Sequence, residues 1–567
     1  MLGNTEKIKK PIESFDKGSN WLTGLVSLPH FAENAFDLML VSAVINILTL
    51  ALPLTLMQVY DRIIPNSGIS TLTWLLIGCS VALLLEAILR VCRAFIINWM
   101  AARFEHLVGC STVEKILASR LPDFEKDEVG VHLDRFSAVS TLRGFYAGQV
   151  FQILLDVPFA ALFLLAIWYL AGGLVFFPVS IVIFYFILIY FFRIGFHSSR
   201  REQITINDRR SNFIIELLES IHLAKAMTFE EEMLRRYERL QASGADTNLK
   251  VTFWGMLPSN VGVLLSQITM FGLIGLGAMD VIGGTLTVGG LTACTLLGGR
   301  ALQPIQSAAG FWLRFSDAEI AHSKLQKIAT MEDEVESGSL PFPDDIEGTV
   351  ELKNVSYKFY SSETLLLDDV NLKVVAKETI GIMGQDSVRT TSLLCLMLGI
   401  LKPESGIVLI DDFDISKWDH SNLRGRIEYL PQTGTLFNGT ILENISMFDE
   451  NRTAAALDAA ALLKLDDHIA NLPMGYETQT GSQAASFLPS GLIQRICIAR
   501  ALVLRPRILL FDRTNSAMDQ ESLEIFHSLL EYLKNKCTMV MVTNQPNLLT
   551  LADTVYEVVG DTLEDLF

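Results

Sequence analysis

The first half of the chain carries long apolar stretches, and these constrain its fold more than any other feature. Six stretches approach or reach the roughly 20 residues that a helix needs to cross the hydrocarbon layer of a bilayer. Glycine and proline interrupt the last two. Because only helices and closed barrels satisfy their own backbone groups inside lipid, the stretches predict a helical membrane domain of six spans. Their approximate limits are 36–59, 71–91, 150–171, 174–192, 251–278 and 286–308.

Composition narrows the class of protein further. Half of the 567 residues are hydrophobic and only 19% are charged, which excludes a disordered or collagen-like chain and argues against an ordinary soluble enzyme. The formal net charge of −18 argues against a nucleic-acid partner, which requires a basic surface. We therefore expect a membrane protein, in contact with lipid, that also has a sizeable soluble part.

The distribution of basic residues predicts the orientation in the membrane. Arginines follow the second and fourth apolar stretches, whereas the other connections between stretches are short or nearly uncharged. Since Lys and Arg favour the cytoplasmic side, these two long segments and both chain ends are expected in the cytoplasm. The segments are expected to continue as charged helices, for example over 204–239.

The composition changes between residues 332 and 347, where acidic residues, serine, glycine and proline are typical of a linker. Beyond it, apolar runs of strand length alternate with helical patterns, which predicts an α/β domain with a largely buried sheet. The predicted strands are 349–355, 379–383, 407–410, 508–512 and 539–543, and the clearest helices are 391–401 and 490–504. The predicted domains are an N-terminal cytoplasmic segment 1–35, the membrane domain 36–330, the linker 331–348 and the α/β domain 349–567.

The strand 379–383 runs into the sequence GQDSVRTT and then into a helix, which is the context of a phosphate-binding loop. The pattern G-x-x-x-x-G-K-[ST] is nevertheless incomplete. The first glycine and the final hydroxyl are kept, by Gly384 and Thr391, and Ser392 follows. Ser387 replaces an intermediate glycine, Arg389 the second glycine and Thr390 the lysine.

A second region makes the resemblance specific. Residues 488–502 read LPSGLIQRICIARAL and are followed by RPRILLFD, and in order and spacing they resemble an ATP-binding cassette (ABC) domain. Its LSGGQ signature is similar to Leu488, Pro489, Ser490, Gly491 and Leu492, and its Walker B strand ends at Asp512. By the same resemblance, Gln432 belongs to the Q-loop, residues 516–519 to the D-loop, and Phe359 holds the aromatic position that stacks on adenine.

Six spans followed by one cassette resemble the layout of a half-size ABC exporter. The sequence MQVYDRIIP at 57–65 is similar to that of type I secretion exporters of Gram-negative bacteria, in the subset without an N-terminal peptidase-like domain. The resemblance implies a bacterial inner-membrane location with the cassette in the cytoplasm, ATP and Mg²⁺ as cofactors, and a dimer with itself or another half-exporter. It also implies a periplasmic adaptor, an outer-membrane channel, and a secreted protein or peptide as cargo.

Several positions of this family's chemistry are changed. Thr390 cannot supply the lysine charge that contacts the phosphates, and Arg513 follows Asp512 where the family has a glutamate that polarises water. A guanidinium cannot accept a proton, and we expect Arg513 to pair with Asp512 instead. Asn544 stands in place of the H-loop histidine, and Pro489, without hydroxyl or N–H, in place of the signature serine.

These departures predict a cassette with little or no ATP hydrolysis and no assignable catalytic residue. Arg389 could still replace part of the missing charge, so that weak ATP binding survives, and Asp512 could still hold Mg²⁺. Three functions stay open at this point: a transporter subunit driven by an active partner, a non-transporting scaffold or regulator, and an unconventional ATPase that uses Arg389.

Overall fold

The computed structural model describes residues 31–147, 149–334, 340–341, 343, 346–359, 364–419, 423–481 and 488–566. Most of the predicted segment 1–35 and part of the predicted linker 331–348 lie outside these ranges. The chain divides into two compact units. The first comprises Met1–Leu117 and Asp127–Met331, and the second comprises Ala118–Lys126 and Glu332–Phe567.

The first unit is helical throughout its described part. The helices up to Ala329 are α1 (Phe31–Leu48), α2 (Ala51–Gln58), α3 (Ile64–Asn66), α4 (Ile69–Ala118), α5 (Leu121–Glu125), α6 (Val129–Ala147), α7 (Gln149–Ala171), α8 (Phe176–Glu219), α9 (Ile221–Ala226), α10 (Glu230–Ile282) and α11 (Val288–Ala329). Of these, α5 belongs to the second unit. A π-helical turn, Val59–Ile63, joins α2 to α3, and a 3₁₀ turn, Gly172–Val175, joins α7 to α8.

Four helical stretches in the described residues are long and apolar enough to cross a membrane: Phe36–Asn66, Ile69–Ala118, Leu155–Glu219 and Glu230–Ile282. The third contains the predicted span 174–192 and most of the predicted span 150–171, from Leu155 onward, with the 3₁₀ turn between them. The predicted run 286–308 is helical within α11, but its glycines, threonines and polar residues lower its hydropathy. The predicted number of six spans is therefore not confirmed.

Close approach of α8 and α10 builds much of this unit. The two helices pack along their lengths, and α11 packs against both α7 and α10. Glycine makes the approach possible at Gly272, where a Cβ would lie 2.1 Å from the ring of Phe177. In the apolar 18-residue stretch of α4, only 11% is buried inside the unit. This helix therefore presents its hydrophobic side chains to the surroundings of the unit.

The motif that resembles type I secretion exporters has a structural role. The Asp61 carboxylate, in the π-helical turn, accepts hydrogen bonds from the Thr287 hydroxyl at 2.7 Å and the Gly289 N–H at 2.8 Å. It therefore caps the positive N-terminal end of α11. A Cβ on Gly289 would lie 2.5 Å from the carbonyl oxygen of Met57, so only glycine allows this contact.

The predicted helix over 204–239 is interrupted, which corrects the sequence interpretation. Helix α8 ends at Glu219, the short α9 follows, and α10 begins at Glu230. Thr228 between them has a φ of 59°, a left-handed backbone that stops a helix. Glutamates in the first turn of α10 then complement its dipole.

The second unit is an α/β domain. Its strands are β1 (Leu340–Pro341), β2 (Val350–Tyr357), β3 (Leu367–Val374), β4 (Thr379–Met383), β5 (Ser405–Ile410), β6 (Phe413–Asp414), β7 (Trp418–Asp419), β8 (Ile427–Leu430), β9 (Gly439–Thr440), β10 (Gln479–Thr480), β11 (Ile508–Asp512), β12 (Thr538–Val542), β13 (Thr554–Val559) and β14 (Thr562–Asp565). Its remaining helices are α12 (Ser387–Met397), α13 (Ile441–Ser446), α14 (Thr453–Leu462), α15 (Leu465–Ile469), α16 (Ser490–Val503), α17 (Gln520–Leu533) and α18 (Pro546–Leu549).

The main sheet has the order β14-β13-β4-β12-β11-β8 and is parallel except for the terminal hairpin. An antiparallel sheet, β3-β2-β5-β6, accompanies it. Alternate residues of β11 and β12 enter two different cores, one shared with the antiparallel sheet and α12 and the other with α13–α17. Both faces of the central strands are therefore buried, which explains their continuous apolar sequences.

A segment from between α4 and α6 completes the second unit. The Arg120 N–H donates to the Glu332 carbonyl at 3.0 Å, and the Glu334 N–H donates to the Ala118 carbonyl at 2.8 Å. The side chains of Arg120 and Glu332 also form an ion pair. The sequence did not predict that these two distant segments pair.

Candidate functional site

The loop after β4 places a carboxylate where a phosphate would bind. Helix α12 begins at Ser387, one turn earlier than the predicted 391, because the loop lacks the inner glycines that would keep it open. Asp386 is the N-cap, and its carboxylate accepts the Val388 N–H at 2.9 Å. The helix end that attracts anions therefore already holds a negative charge from the chain itself.

Thr390, at the lysine position, turns inward. It is fully buried, and its hydroxyl donates to the carbonyls of Ser387 at 3.1 Å and Asp386 at 3.3 Å. A Cβ on Gly384 would lie 2.8 Å from the Thr390 methyl group, so this methyl fills the space beneath the loop. Ser392 is also buried. Neither hydroxyl faces solvent.

Arg389 contacts the hairpin at the end of the main sheet. Its guanidinium donates to the Gly560 carbonyl, in the turn between β13 and β14, and its Nε lies 3.6 Å from the Asp386 carboxylate. These contacts offset its charge and hold its side chain. They do not support the suggestion that Arg389 replaces the missing lysine.

At the end of β11, Asp512 still contacts the Thr391 hydroxyl, as the matching residues of a P-loop protein do. Asp512 is 4% exposed, and one of its oxygens accepts from the Thr391 hydroxyl at 2.6 Å and the Tyr429 hydroxyl at 2.9 Å. Burial raises the pKa of Tyr429, and the Asp512 charge raises it further, so the phenol keeps its proton. Burial, with a contribution from Asp512, also raises the pKa of the Cys395 thiol to about 11.

Arg513 covers the beginning of the loop, and the predicted pair with Asp512 is wrong. The residue has a left-handed backbone, with φ 46°, and its Nη2 donates to the Gly384 carbonyl at 2.8 Å. The Asn544 side-chain amide also binds Gly384. It accepts the Gly384 N–H and donates to the Gly384 carbonyl, both at 3.4 Å. Asp512 is satisfied by neutral hydroxyls, so Arg513 extends to a backbone acceptor instead.

These side chains fit only part of the ligand that an ABC cassette normally binds. Thr391 and Asp512 are the hydroxyl and carboxylate that hold Mg²⁺ in P-loop proteins, and they lie together. The phosphate half does not fit, because the helix end is capped by Asp386 and Thr390 stands at the lysine position. The guanidinium of Arg513 offers no base for an attacking water.

The signature helix keeps its position but not its donors. Pro489 is the N-cap of α16, with no capping side chain, and the neighbouring Ser490 hydroxyl donates to the Ala517 carbonyl at 2.8 Å. Ser490 is thus engaged within the chain. Leu488 and Leu492 are buried, at 9% and 4% exposed. A Cβ on Gly491 would lie 2.7 Å from the Ser522 hydroxyl oxygen.

The Q-loop and the aromatic position lie at the surface. Gln432 is exposed, and the buried Gln494 of α16 donates to the neighbouring Pro431 carbonyl at 2.9 Å. Phe359 is 39% exposed, and its ring centroid lies 5.7 Å from that of Tyr357 in an edge-on arrangement. The structure therefore leaves Phe359 accessible to a flat partner.

Sequence reasoning missed Asp386 and the hydroxyl of Tyr429. Asp immediately before a helix is a common capping signal, but the resemblance to a phosphate-binding loop places the predicted helix start later, at 391. The contact between Tyr429 and Asp512 joins residues 83 positions apart. Only the parallel pairing of β8 with β11 brings them together.

Comparison with known families agrees with this architecture. Residues 36–301 match the family model of the ABC transporter transmembrane region, and residues 367–515 match that of the ABC transporter cassette. The chain thus contains the membrane and cassette domains of a half-size ABC exporter, which confirms the resemblance at that level.

The similar relatives include toxin translocation ATP-binding proteins. The exotoxin translocation ATP-binding protein PaxB of Pasteurella aerogenes is 29% identical over 525 residues, 92% of this chain and 73% of PaxB. The alpha-hemolysin translocation ATP-binding protein HlyB of Escherichia coli O157:H7 is 29% identical over 510 residues, 90% of this chain and 72% of HlyB. The chain is homologous to these ATPases.

A solved structure shares the fold. It is described as a bacterial Atm1-family ABC exporter with ATP bound, and it aligns with a TM-score of 0.83 and 20% sequence identity over 94% of both chains. At this identity the likeness concerns the fold alone.

Proposed function

We propose that the chain is a subunit of a type I secretion-like ABC transporter in the bacterial inner membrane, exporting a protein or peptide, with a cassette that does not hydrolyse ATP. The homology to PaxB and HlyB supports the export role. A cytoplasmic cassette agrees with the distribution of arginines along the sequence.

The contact between Arg513 and Gly384 carries the second part of the proposal. It puts a guanidinium at the start of the phosphate loop and leaves no general base after Asp512. Removing a single preorganised donor typically slows an enzyme about 10²–10³-fold. Here the lysine, glutamate, histidine and signature serine are all replaced. Although such losses do not add, none of the four replacing side chains is a base that could activate water.

Transport would then need a partner. The chain pairs with an intact half-exporter that hydrolyses ATP, and the complex works with a periplasmic adaptor and an outer-membrane channel. The exposed apolar surface of α4 supports contact with lipid or with the second half-exporter.

A scaffold or regulator is the second candidate, and Pro489 favours it. A cassette completes its partner's site through the signature, and Pro489 has neither hydroxyl nor N–H to contribute. Ser490 is held by Ala517. Such a chain would weaken the site of an active partner as well as its own, which suits a regulatory pairing.

The decisive experiment measures phosphate release and nucleotide binding by the purified full-length chain in a non-ionic detergent. We expect no release above background. The variant Asp512→Asn is the matched control for contamination. Steady release by the unmodified chain that is lost in Asp512→Asn would refute the proposal.

A restored variant tests that the fold itself is competent. Combining Arg389→Gly, Thr390→Lys and Arg513→Glu should allow ATP binding that the unmodified chain lacks. Copurification with an intact cassette protein supports the subunit role, whereas a self-paired dimer supports the scaffold. A monomer in mild detergent would contradict both kinds of pairing.

A further inference from the structure

A buried ion pair joins the membrane helices of the first unit. The Arg93 side chain of α4 is 1% exposed, and its guanidinium forms a forked pair with Asp156 of α7, at 2.7 and 3.2 Å. The same guanidinium donates to the Ser42 hydroxyl oxygen at 3.0 Å, and the Asn46 amide donates to Asp156 at 3.3 Å. Charges inside a membrane domain are costly and usually functional.

Two more arginines lie beside this pair. Arg90 pairs with Glu86 at 2.7 Å, one turn away on α4. Arg300 of α11 is half-buried and has no ion-pair or hydrogen-bond partner within the described ranges. Arg90, Arg300 and Asp156 line one cavity of about 240 Å³.

The charges of this cluster do not balance. Among the described side chains, three guanidinium groups meet two carboxylates, Glu86 and Asp156. One positive charge is left, and it lies on Arg300. An uncompensated charge in a low-dielectric region is expensive unless an opposite charge joins it.

The cluster lies on one side of the predicted membrane topology. Arg90 ends the second predicted span, Asp156 is near the start of the third, and Arg300 is in the last part of the predicted run 286–308. With both chain ends in the cytoplasm, each of these positions falls toward the cytoplasmic side. A ligand from the cytoplasm would meet the cavity early.

We propose that this cavity binds a carboxylate group, held by Arg300 and oriented by the amide of Gln303, which also lines it. A guanidinium binds a carboxylate through two parallel hydrogen bonds. The cavity is smaller than a typical drug-sized pocket of about 300–1,000 Å³, so it suits one acidic side chain or a small free acid. The first source rests on the proposed export of polypeptide, and the second does not.

The test measures binding of a fluorescently labelled glutamate-rich peptide to the full-length chain in non-ionic detergent. The same peptide with glutamine for glutamate is the comparison, and glutarate is titrated separately. We expect the glutamate peptide, glutarate, or both to bind. If the glutamate peptide binds, the glutamine peptide should bind at least about tenfold more weakly. Peptide binding alone assigns the site to cargo, and glutarate binding alone assigns it to a free acid.

Two variants show whether Arg300 is responsible. Arg300→Gln should weaken carboxylate binding about tenfold or more, whereas Arg209→Gln, the same charge change at an exposed position of α8, should leave it unchanged. Ser307→Asp places a carboxylate at an exposed position of the cavity wall, where it would compete with the ligand for Arg300. This variant should also weaken binding, although it removes no arginine.

Absence of binding by both probes overturns the proposal, as does equal binding by the Arg300→Gln and Arg209→Gln variants. The measurement needs neither nucleotide turnover nor transport. Phosphate release by the cassette would therefore refute the proposed function and leave the cavity assignment intact. Failed carboxylate binding would refute the cavity assignment and leave the proposed function intact.

Discussion

The ion pair between Arg93 and Asp156 should dominate the stability of the helical unit when it is broken, but not when it is replaced as a whole. Arg93→Met leaves Asp156 charged, 19% exposed and without its forked partner. Breaking a buried pair from one side typically costs about 3–5 kcal/mol. Asp156→Leu should cost as much, because it strands a guanidinium that is 1% exposed.

The double variant Arg93→Met, Asp156→Leu should recover most of that loss, since a buried pair replaced by apolar side chains is often neutral. The assay is the unfolding midpoint of the full chain in non-ionic detergent, followed by tryptophan fluorescence at one fixed scan rate. The control is Arg235→Met, which breaks an exposed pair with Glu231, 60% and 78% exposed, and should change stability by less than about 1 kcal/mol. If the two single losses simply add in the double variant, the pair is not coupled and the reasoning fails.

Three further outcomes follow from particular contacts. Gly289→Ala should destabilise the helical unit by about 1–3 kcal/mol, because a methyl group would collide with the Met57 carbonyl. Gly275→Ala, where a Cβ would have nothing within 4 Å, should be neutral in the same thermal assay. Asp386→Ala should cost about 1 kcal/mol through loss of the helix cap, and Asp386→Asn much less; equal losses in thermal unfolding would contradict the capping role. Burial raises the pKa of Glu428 from 4.5 to about 7, so the folded state holds this proton more tightly than the unfolded state. Its contribution to stability is complete below about pH 4.5 and is lost as the pH rises through about 7, and Glu428→Gln should remove that part of the pH dependence of the unfolding midpoint.

The membrane half was predictable where its sequence is uniform. Long apolar runs indicate helices without knowledge of the partners. The orientation inferred from the arginine-rich segments stays a prediction. The run 286–308 was harder, because α11 mixes glycine, threonine and Arg300 with apolar residues. The break at Thr228 was missed, since no proline or glycine marks the left-handed residue there.

The five predicted cassette strands lie within a few residues of observed strands, because strands such as β4 and β11 are buried on both faces and have continuous apolar sequences. Strands β3, β8, β13 and β14 were not predicted. Which chemical groups were missing could also be read from the sequence. The contacts of the replacing side chains could not be predicted. Arg513 was expected to pair with Asp512, and the fold places its guanidinium at the Gly384 carbonyl instead. The cap at Asp386 depends on how far α12 extends, and helix ends are poorly determined by local sequence.

The backbone pairing between the segments 118–120 and 332–334 matters for any work on the isolated cassette. A recombinant piece that starts at the apparent interdomain boundary would lack the nine residues Ala118–Lys126 of the second unit. Its first extended segment would then expose unpaired backbone groups, which are a template for aggregation. A peptide spanning 118–126, added in trans or fused through a short linker, is the natural remedy.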